Sequence, residues 1–290
     1  MDVWWRYALG LGTLLALGAC GETPASSDAE FACNGHLALC DRPYNEVVFP
    51  GTHNSFSARS YGFFMVSANH DTGLTEQLEA GVRVFLLDVT YNEGTTALCH
   101  GPCLFGALPH ADGLREIVDF LDTHPREVLT IIYQDDAGAA DIVRDLETSG
   151  LADMVYAHTP GQRWPTLGEM IDANTRLVVT AESQGPPPEW FHHVWELTWD
   201  TPFTWMSIDA MNCDLNRGQL GNDLFLVNHW VNDAANLPDA SQAAEVNALD
   251  VLLARVEQCQ SEHGRLPNFL AIDWWEQGDL FEAVDRLNGL

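Results

Sequence analysis

Lysine is absent from this 290-residue chain, and its 13 basic residues, all arginine, stand against 42 acidic ones for a formal charge of −29. Nucleic acid is bound through basic patches, so this balance excludes it as a partner. The same excess of negative charge works against long-range attraction to anionic lipid. Long apolar runs are lacking too: the stretch from Tyr7 to Gly18, behind Arg6, falls short of the ~20 residues that span a bilayer. No glycine-rich fingerprint follows any strand-like run, which counts against a dinucleotide-binding open sheet. No closely spaced cysteine pair has a partner pair, which counts against a zinc site. Internal repeats are missing as well. What is present is a hydrophobic content of 46%, enough for a sizeable core, at a length that suits one barrel-sized domain.

The N-terminal apolar run closes on Leu17-Gly18-Ala19-Cys20, which resembles a bacterial lipobox. It implies a signal peptide over residues 1–19, cleavage before Cys20, and a lipidated thiol that anchors an exported protein to a membrane. An ordinary secretory signal with a chance cysteine would also take the chain out of the cytoplasm. Residues 20–30 then read as a lipidated cysteine and a small, acidic tether. The folded domain is expected over 31–290. Removing Cys20 from the seven cysteines leaves an even set, as suits an oxidising compartment. Many pairings are open to six cysteines. Sequence closeness favours Cys33–Cys40 and Cys99–Cys103, leaving Cys213–Cys259, and the second of these loops would bracket His100.

Beyond the tether, strand-like and helix-like patterns alternate. Val82–Val89, Thr95–Cys99, Val128–Tyr133, Arg176–Ala181, Asp223–Asn228 and Asn268–Asp273 read as strands. Leu114, Ile117, Val118 and Leu121 share a helical face that Pro125 ends. Thr166 and Glu169 form a capping box. Val246, Leu249, Leu253 and Val256 mark one long helix, and Leu280, Phe281, Val284 and Leu287 the last one. Such alternation predicts parallel strands covered by helices. Polar residues recur where strands end: His53, Asp88, His100, Gln134, Glu182, Asn228 and Asp273. Barrel active sites draw on several strand ends at one face, so a barrel is the expected architecture. Two histidines at strand ends, His53 in Gly51-Thr52-His53-Asn54-Ser55 and His100 in Leu98-Cys99-His100-Gly101, can supply a base and an acid to one phosphodiester, because imidazole takes and gives a proton near neutral pH.

From Cys33 to the C-terminus the chain resembles the X domain of phosphatidylinositol-specific phospholipase C, and more closely the secreted bacterial and plant X-domain-containing proteins. The resemblance rests on CNGHLALCDRPYNEVVFPGTHNS, EQLEAGVRVFLLDV, LCHGPC, PREVLTIIYQ, WPTLGEMIDANTRLVV, CDLNRG with LFLVNHW, and PNFLAIDWW, in that order. It implies an α/β fold, a distorted TIM (β/α)8 barrel in a single domain, and a phosphodiester-cleaving ancestry. His53 falls on the family's first catalytic histidine, His100 on its second, and Asp273 on the aspartate that orients the first. Asn54 and Asp88 match the calcium-dependent branch, which makes calcium the implied cofactor and these two its ligands. That branch expects glutamates where this chain has Leu86 and Gln134, so the ligand set is incomplete.

The implied reaction is intramolecular. A substrate hydroxyl gives its proton to His53 and attacks phosphorus, His100 protonates the leaving alkoxide, and a cyclic phosphate results. The phosphate needs a cation, and without lysine only a metal or an arginine can provide it. Arg217 is the candidate arginine, and Trp230 a candidate wall of the substrate pocket. The expected partner is a phosphoinositide-like small molecule or lipid headgroup. The alternatives are a weakened or inactive ligand-binding lipoprotein on the same fold, motivated by Leu86 and Gln134, and a phosphodiesterase for a non-inositol substrate.

Overall fold

The computed structural model describes Met1, residues 30–64 and residues 66–290. The expected signal peptide, the expected lipidation at Cys20 and nearly all of the expected tether lie outside the described residues. Among the described residues ten strands form one sheet: β1 (Phe49–Thr52), β2 (Val84–Asn92), β3 (Thr95–Leu98), β4 (Leu108–Pro109), β5 (Leu129–Asp135), β6 (Leu177–Ala181), β7 (Phe191–His193), β8 (Thr198–Asp200), β9 (Leu224–His229) and β10 (Phe269–Ile272). β3 and β4 are an antiparallel extension of β2. The other eight are parallel neighbours in the order β7-β6-β5-β2-β1-β10-β9-β8. Read cyclically, that is chain order, the order of a TIM-like barrel. The curled sheet is open along one seam, because β7 and β8 are not paired with each other.

The helices are α1 (Leu74–Ala80), α2 (His110–Thr123), α3 (Ala139–Ser149), α4 (Leu167–Asp172), α5 (Val194–Leu197), α6 (Ala243–Val246), α7 (Leu249–His263) and α8 (Leu280–Asn288). α2 stops before Pro125, as expected, since the residue preceding a proline is pushed out of the helical region. α4 carries the Thr166–Glu169 capping box. The helix expected through Val246 to Val256 is two helices. Asn247 breaks it, and its side-chain amide donates to Asp273 O at 2.9 Å and Gln277 O at 3.0 Å, so that residue holds the chain beyond β10 rather than continuing a turn.

Each strand alternates between two environments, as a period of two demands. Phe49, Val84, Ile132, Val178, Leu224, Leu226, Phe269 and Ala271 pack together with Tyr44 and Trp164 in the barrel interior. Phe85, Leu87, Ile131, Tyr133 and Val179 pack outward on α1, α2 and α3. Phe225, Val227, Leu270 and Ile272 do the same on α7 and α8. Each such side chain removed from water contributes roughly 1.5–3 kcal/mol. The interior is narrow: a Cβ on Gly51 would lie 3.0 Å from that of Val84.

Three disulfides join Cys33–Cys40, Cys99–Cys103 and Cys213–Cys259, the pairing that sequence closeness favours. The last spans 46 residues against 7 for the first. Chain entropy assigns about 4 kcal/mol to the longer loop and about 2 kcal/mol to the shorter. Replacing Cys213 and Cys259 by serine is therefore expected to lower the urea midpoint roughly twice as far as replacing Cys33 and Cys40. Equal shifts would show that loop length does not govern the loss.

Candidate active site

The alternation that builds the core also builds the site. Four residues on from interior positions Phe49, Val84, Thr130, Val178, Leu224 and Phe269 stand His53, Asp88, Gln134, Glu182, Asn228 and Asp273. The first five of these line one cleft at the C-terminal mouth of the barrel, with Leu86, Phe203, Arg217 and Trp230. Asp273 reaches the cleft through His53: its Oδ1 lies 2.9 Å from His53 Nδ1, and the carboxylate is buried at 4% exposure. Register explains the contact. β1 and β10 pair in parallel with Thr52 opposite Ile272, and His53 N donates to Ile272 O at 2.9 Å. The carboxylate accepts the Nδ1 proton, which leaves Nε2 as the basic nitrogen.

Two further contacts fix the His53 ring. It stacks on Trp230, with centroids 3.9 Å apart and planes 3° from parallel. His70, fully buried, donates from Nε2 to His53 O at 2.8 Å. No pattern in the sequence singles out His70, since its role depends on a loop folding back. Burial holds its imidazolium below the ordinary range. After β1 the chain turns sharply. Asn54 takes a left-handed φ of +46°, which asparagine tolerates better than most residues. The turn is tied down by Thr52 Oγ1 donating to Gln77 Oε1 at 2.7 Å and by Gln77 Nε2 donating to Ser55 O at 2.6 Å.

His100 comes from the turn after β3, far from His53 in sequence, yet the two rings lie 6.4 Å apart edge to face. Its Nδ1–H donates to Ser67 O at 3.0 Å, so Nε2 is the nitrogen left for other partners. Burial, and then the nearby His53, hold its pKa below the ordinary imidazole value of 6.5.

Asn54 and Asp88, the pair expected to hold a metal, are neighbours. One terminal atom of the Asn54 amide lies 3.1 Å from both Asp88 oxygens, and the other 3.2 Å from His53 Nε2. With Nδ2 toward the carboxyl group the amide donates to both Asp88 oxygens and turns its Oδ1 toward His53, the orientation that satisfies both ends. Burial pushes the Asp88 carboxyl up to about 7; the nearby His53 partly offsets this, and Glu182 and Asp136 add to it. Two oxygen-bearing side chains are at most part of what a divalent cation needs. Among the described residues no group of three or more histidine, cysteine, aspartate or glutamate side chains is arranged to hold a metal. Gln134 lines the cleft, whereas Asp135 is used structurally, its Oδ1 accepting from Ser183 N at 2.8 Å.

Arg217 is in the cleft wall, but its charge is already matched. It pairs with Glu182 at 2.8 Å and with the fully buried Asp200 at 2.6 Å, and its guanidinium lies over Trp195 and Phe203 at 4.1 and 4.9 Å. Asp200 also accepts from Asn228 Nδ2 at 3.0 Å, tying β8 to β9. Asp200 and Phe203 went unread because β7 and β8 have three residues each, too few for a periodic pattern. Arg83, immediately before β2, pairs with Glu127 at 2.7 Å, away from the cleft.

Comparison with known proteins agrees with this architecture. The family model described as PI-PLC X 1 matches residues 39–288. A PI-PLC X domain-containing protein 1 of Arthroderma benhamiae is 30% identical, over 98% of this chain and 98% of its own length. A protein of the same organism described as an uncharacterized secreted protein is 26% identical, over 89% of this chain and 64% of its own length. The solved phosphatidylinositol-specific phospholipase C from Listeria monocytogenes superposes with a TM-score of 0.58 over 86% of this chain and 94% of that one, at 16% identity, a likeness of fold alone. A strand register that joins residues 53 and 273 at the mouth of a curled parallel sheet, and a sequence match that runs through nearly all of that sheet, lead to one statement of kinship: the chain belongs to the PI-PLC X domain family.

Proposed function

We propose that this protein is a phosphodiesterase of the phospholipase C type, cleaving an inositol-phosphate-like diester through a cyclic phosphate. The observation that carries the reading is the Asp273–His53 pair, with the His100 ring 6.4 Å away. A substrate hydroxyl next to the phosphate gives its proton to His53 Nε2, and its oxygen bonds to phosphorus. The bond from phosphorus to the leaving oxygen breaks as His100 Nε2 protonates it. Because the attacking hydroxyl is on the substrate already, little entropy is spent in bringing it to phosphorus. Asp273 steadies the imidazolium that forms at His53.

Arg217 is neutralised by Glu182 and Asp200, so it serves better as an oriented donor to substrate hydroxyls than as the phosphate's counter-charge. Calcium, held by Asn54 and Asp88 with oxygens of water and substrate, would supply that charge when bound. Export is supported by three disulfides and by the relative described as secreted. No described helix is long and apolar enough to cross a membrane, and anchoring through Cys20 rests on the lipobox-like sequence. The lack of an uncommitted arginine in the described cleft favours one second reading, a binding protein that retains ligand without turnover.

His100→Ala is expected to lower turnover of such a diester by ~10²–10⁴-fold, and unchanged turnover would reject the assigned acid. His100 must be protonated to act, and its pKa is held below 6.5. The free-enzyme kcat/KM should therefore fall as pH rises through a value below 6.5, and this limb should vanish in the variant.

Asp88→Asn separates two consequences of the buried carboxylate. The folded state holds this proton up to about 7, against 3.8 for an ordinary aspartate. Ionising Asp88 therefore costs stability progressively between those pH values, and in full above the upper one. The variant should gain ~1–3 kcal/mol at pH 8 and nothing near pH 3, read by urea unfolding without calcium. It should also lose any stimulation by calcium over a chelator. Stimulation that survives would remove Asp88 from the ligand set.

A further inference from the structure

His100 stands on a loop that regular structure does not hold. β3 ends at Leu98, and the next helical turn begins at Cys103. Between them Gly101 takes a left-handed φ of +69°. The disulfide Cys99–Cys103 closes this loop, with Cα atoms 5.1 Å apart and His100 inside. Each end of the bridge is anchored in a different part of the site. Cys99 N donates to Asp88 O at 3.2 Å, which roots the near end in β2 beside the cleft. The far end runs into Phe105, whose carbonyl accepts from Phe64 N at 3.1 Å and Ser67 Oγ at 2.8 Å. Ser67 is also the residue whose carbonyl accepts from His100, and from the Ser57 hydroxyl. The bridge thus links the strand from which His100 departs to the segment that carries its acceptor.

We infer that the Cys99–Cys103 disulfide is a positioning device for the acid, setting His100 Nε2 relative to His53. This rests on the reading of His100 as the group that protonates the leaving oxygen. Without the bridge the chain keeps the barrel and the His53–Asp273 base, whose anchors lie on β1 and β10. The loop then relaxes, because a closed ring restricts its conformations and an open one does not. The base step proceeds, the oxygen–phosphorus bond forms, and an alkoxide departs without its proton. Cleavage of an alkyl ester then becomes slow. An ester whose leaving group is a phenolate needs no such proton and is spared. Activity against natural alkyl esters would accordingly depend on an oxidising compartment.

The test compares wild type with Cys99→Ser/Cys103→Ser on two inositol phosphodiesters, one with an alkyl and one with a nitrophenyl leaving group. Alkyl turnover is expected to fall by ~10²-fold, the lower end of what a positioned acid contributes, while nitrophenyl turnover stays within about threefold. Equal loss on both substrates would reveal a merely structural bridge and overturn the inference, as would no loss on the alkyl ester. A second measurement needs no turnover. In histidine ring NMR spectra of the variant, the His100 signals should move or broaden while those of His53 hold, with the thermal transition still cooperative. Unmoved His100 signals, or loss of both sets together, overturn the inference. Wild-type protein that cleaves neither ester counts against the phosphodiesterase reading, and the NMR comparison then decides the positioning role by itself.

Discussion

The pairing of β1 with β10 is the constraint on which the rest depends. It joins the first and last strands of the barrel, and its register, Gly51 opposite Ala271 and Thr52 opposite Ile272, leaves residues 53 and 273 side by side at the mouth. A slip of one residue would turn His53 toward the helices and Phe49 out of the interior, since side chains alternate along a strand. The bond of 2.9 Å from His53 to Asp273 is therefore a product of core packing, not of local sequence. Asn247 reinforces it from outside by holding the carbonyls beyond β10, at the expense of a continuous helix.

The electrostatics of the cleft follow from a chain with few cations. Arg217 is spent on holding Glu182 and Asp200, and through Asp200 it connects β6, β8 and β9 where the sheet is open. The carboxyl of Asp88 is pushed up by burial, which the nearby His53 only partly offsets. Strongly shifted carboxyls cluster at functional sites, and Asp88 lines the cleft. Aromatic surfaces do the work that charge does elsewhere. Trp230 fixes the plane of the His53 ring, and Trp195 and Phe203 support the Arg217 guanidinium.

Much of this was legible beforehand. Strands β2, β5, β6, β9 and β10 are long, apolar and bounded, and reading them as parallel barrel strands needed only their alternation with helices. The polar residues that end them were visible for the same reason, and His53, Asp88, Glu182 and Asn228 meet in one cleft. Residues held through loops were not legible. His70 and Ser67 act through a segment folded between β1 and α1, and neither lies in a periodic pattern. Asp200 ends, and Phe203 follows, a strand too short to show a period. The split between α6 and α7 was hidden because the apolar spacing continues through Asn247, while the amide that breaks the helix serves a distant loop.

The sequence by itself determined the class of fold, the even set of bridging cysteines and the strand-end residues able to do chemistry, because these depend on local periodicity and residue type. Only the tertiary structure decided which of them meet. It brought His100 to within 6.4 Å of His53, stacked Trp230 on that ring, and committed Arg217 to two carboxylates. The physical reason is that strand register and loop closure act over separations of tens to hundreds of residues, where a linear pattern carries no distance information.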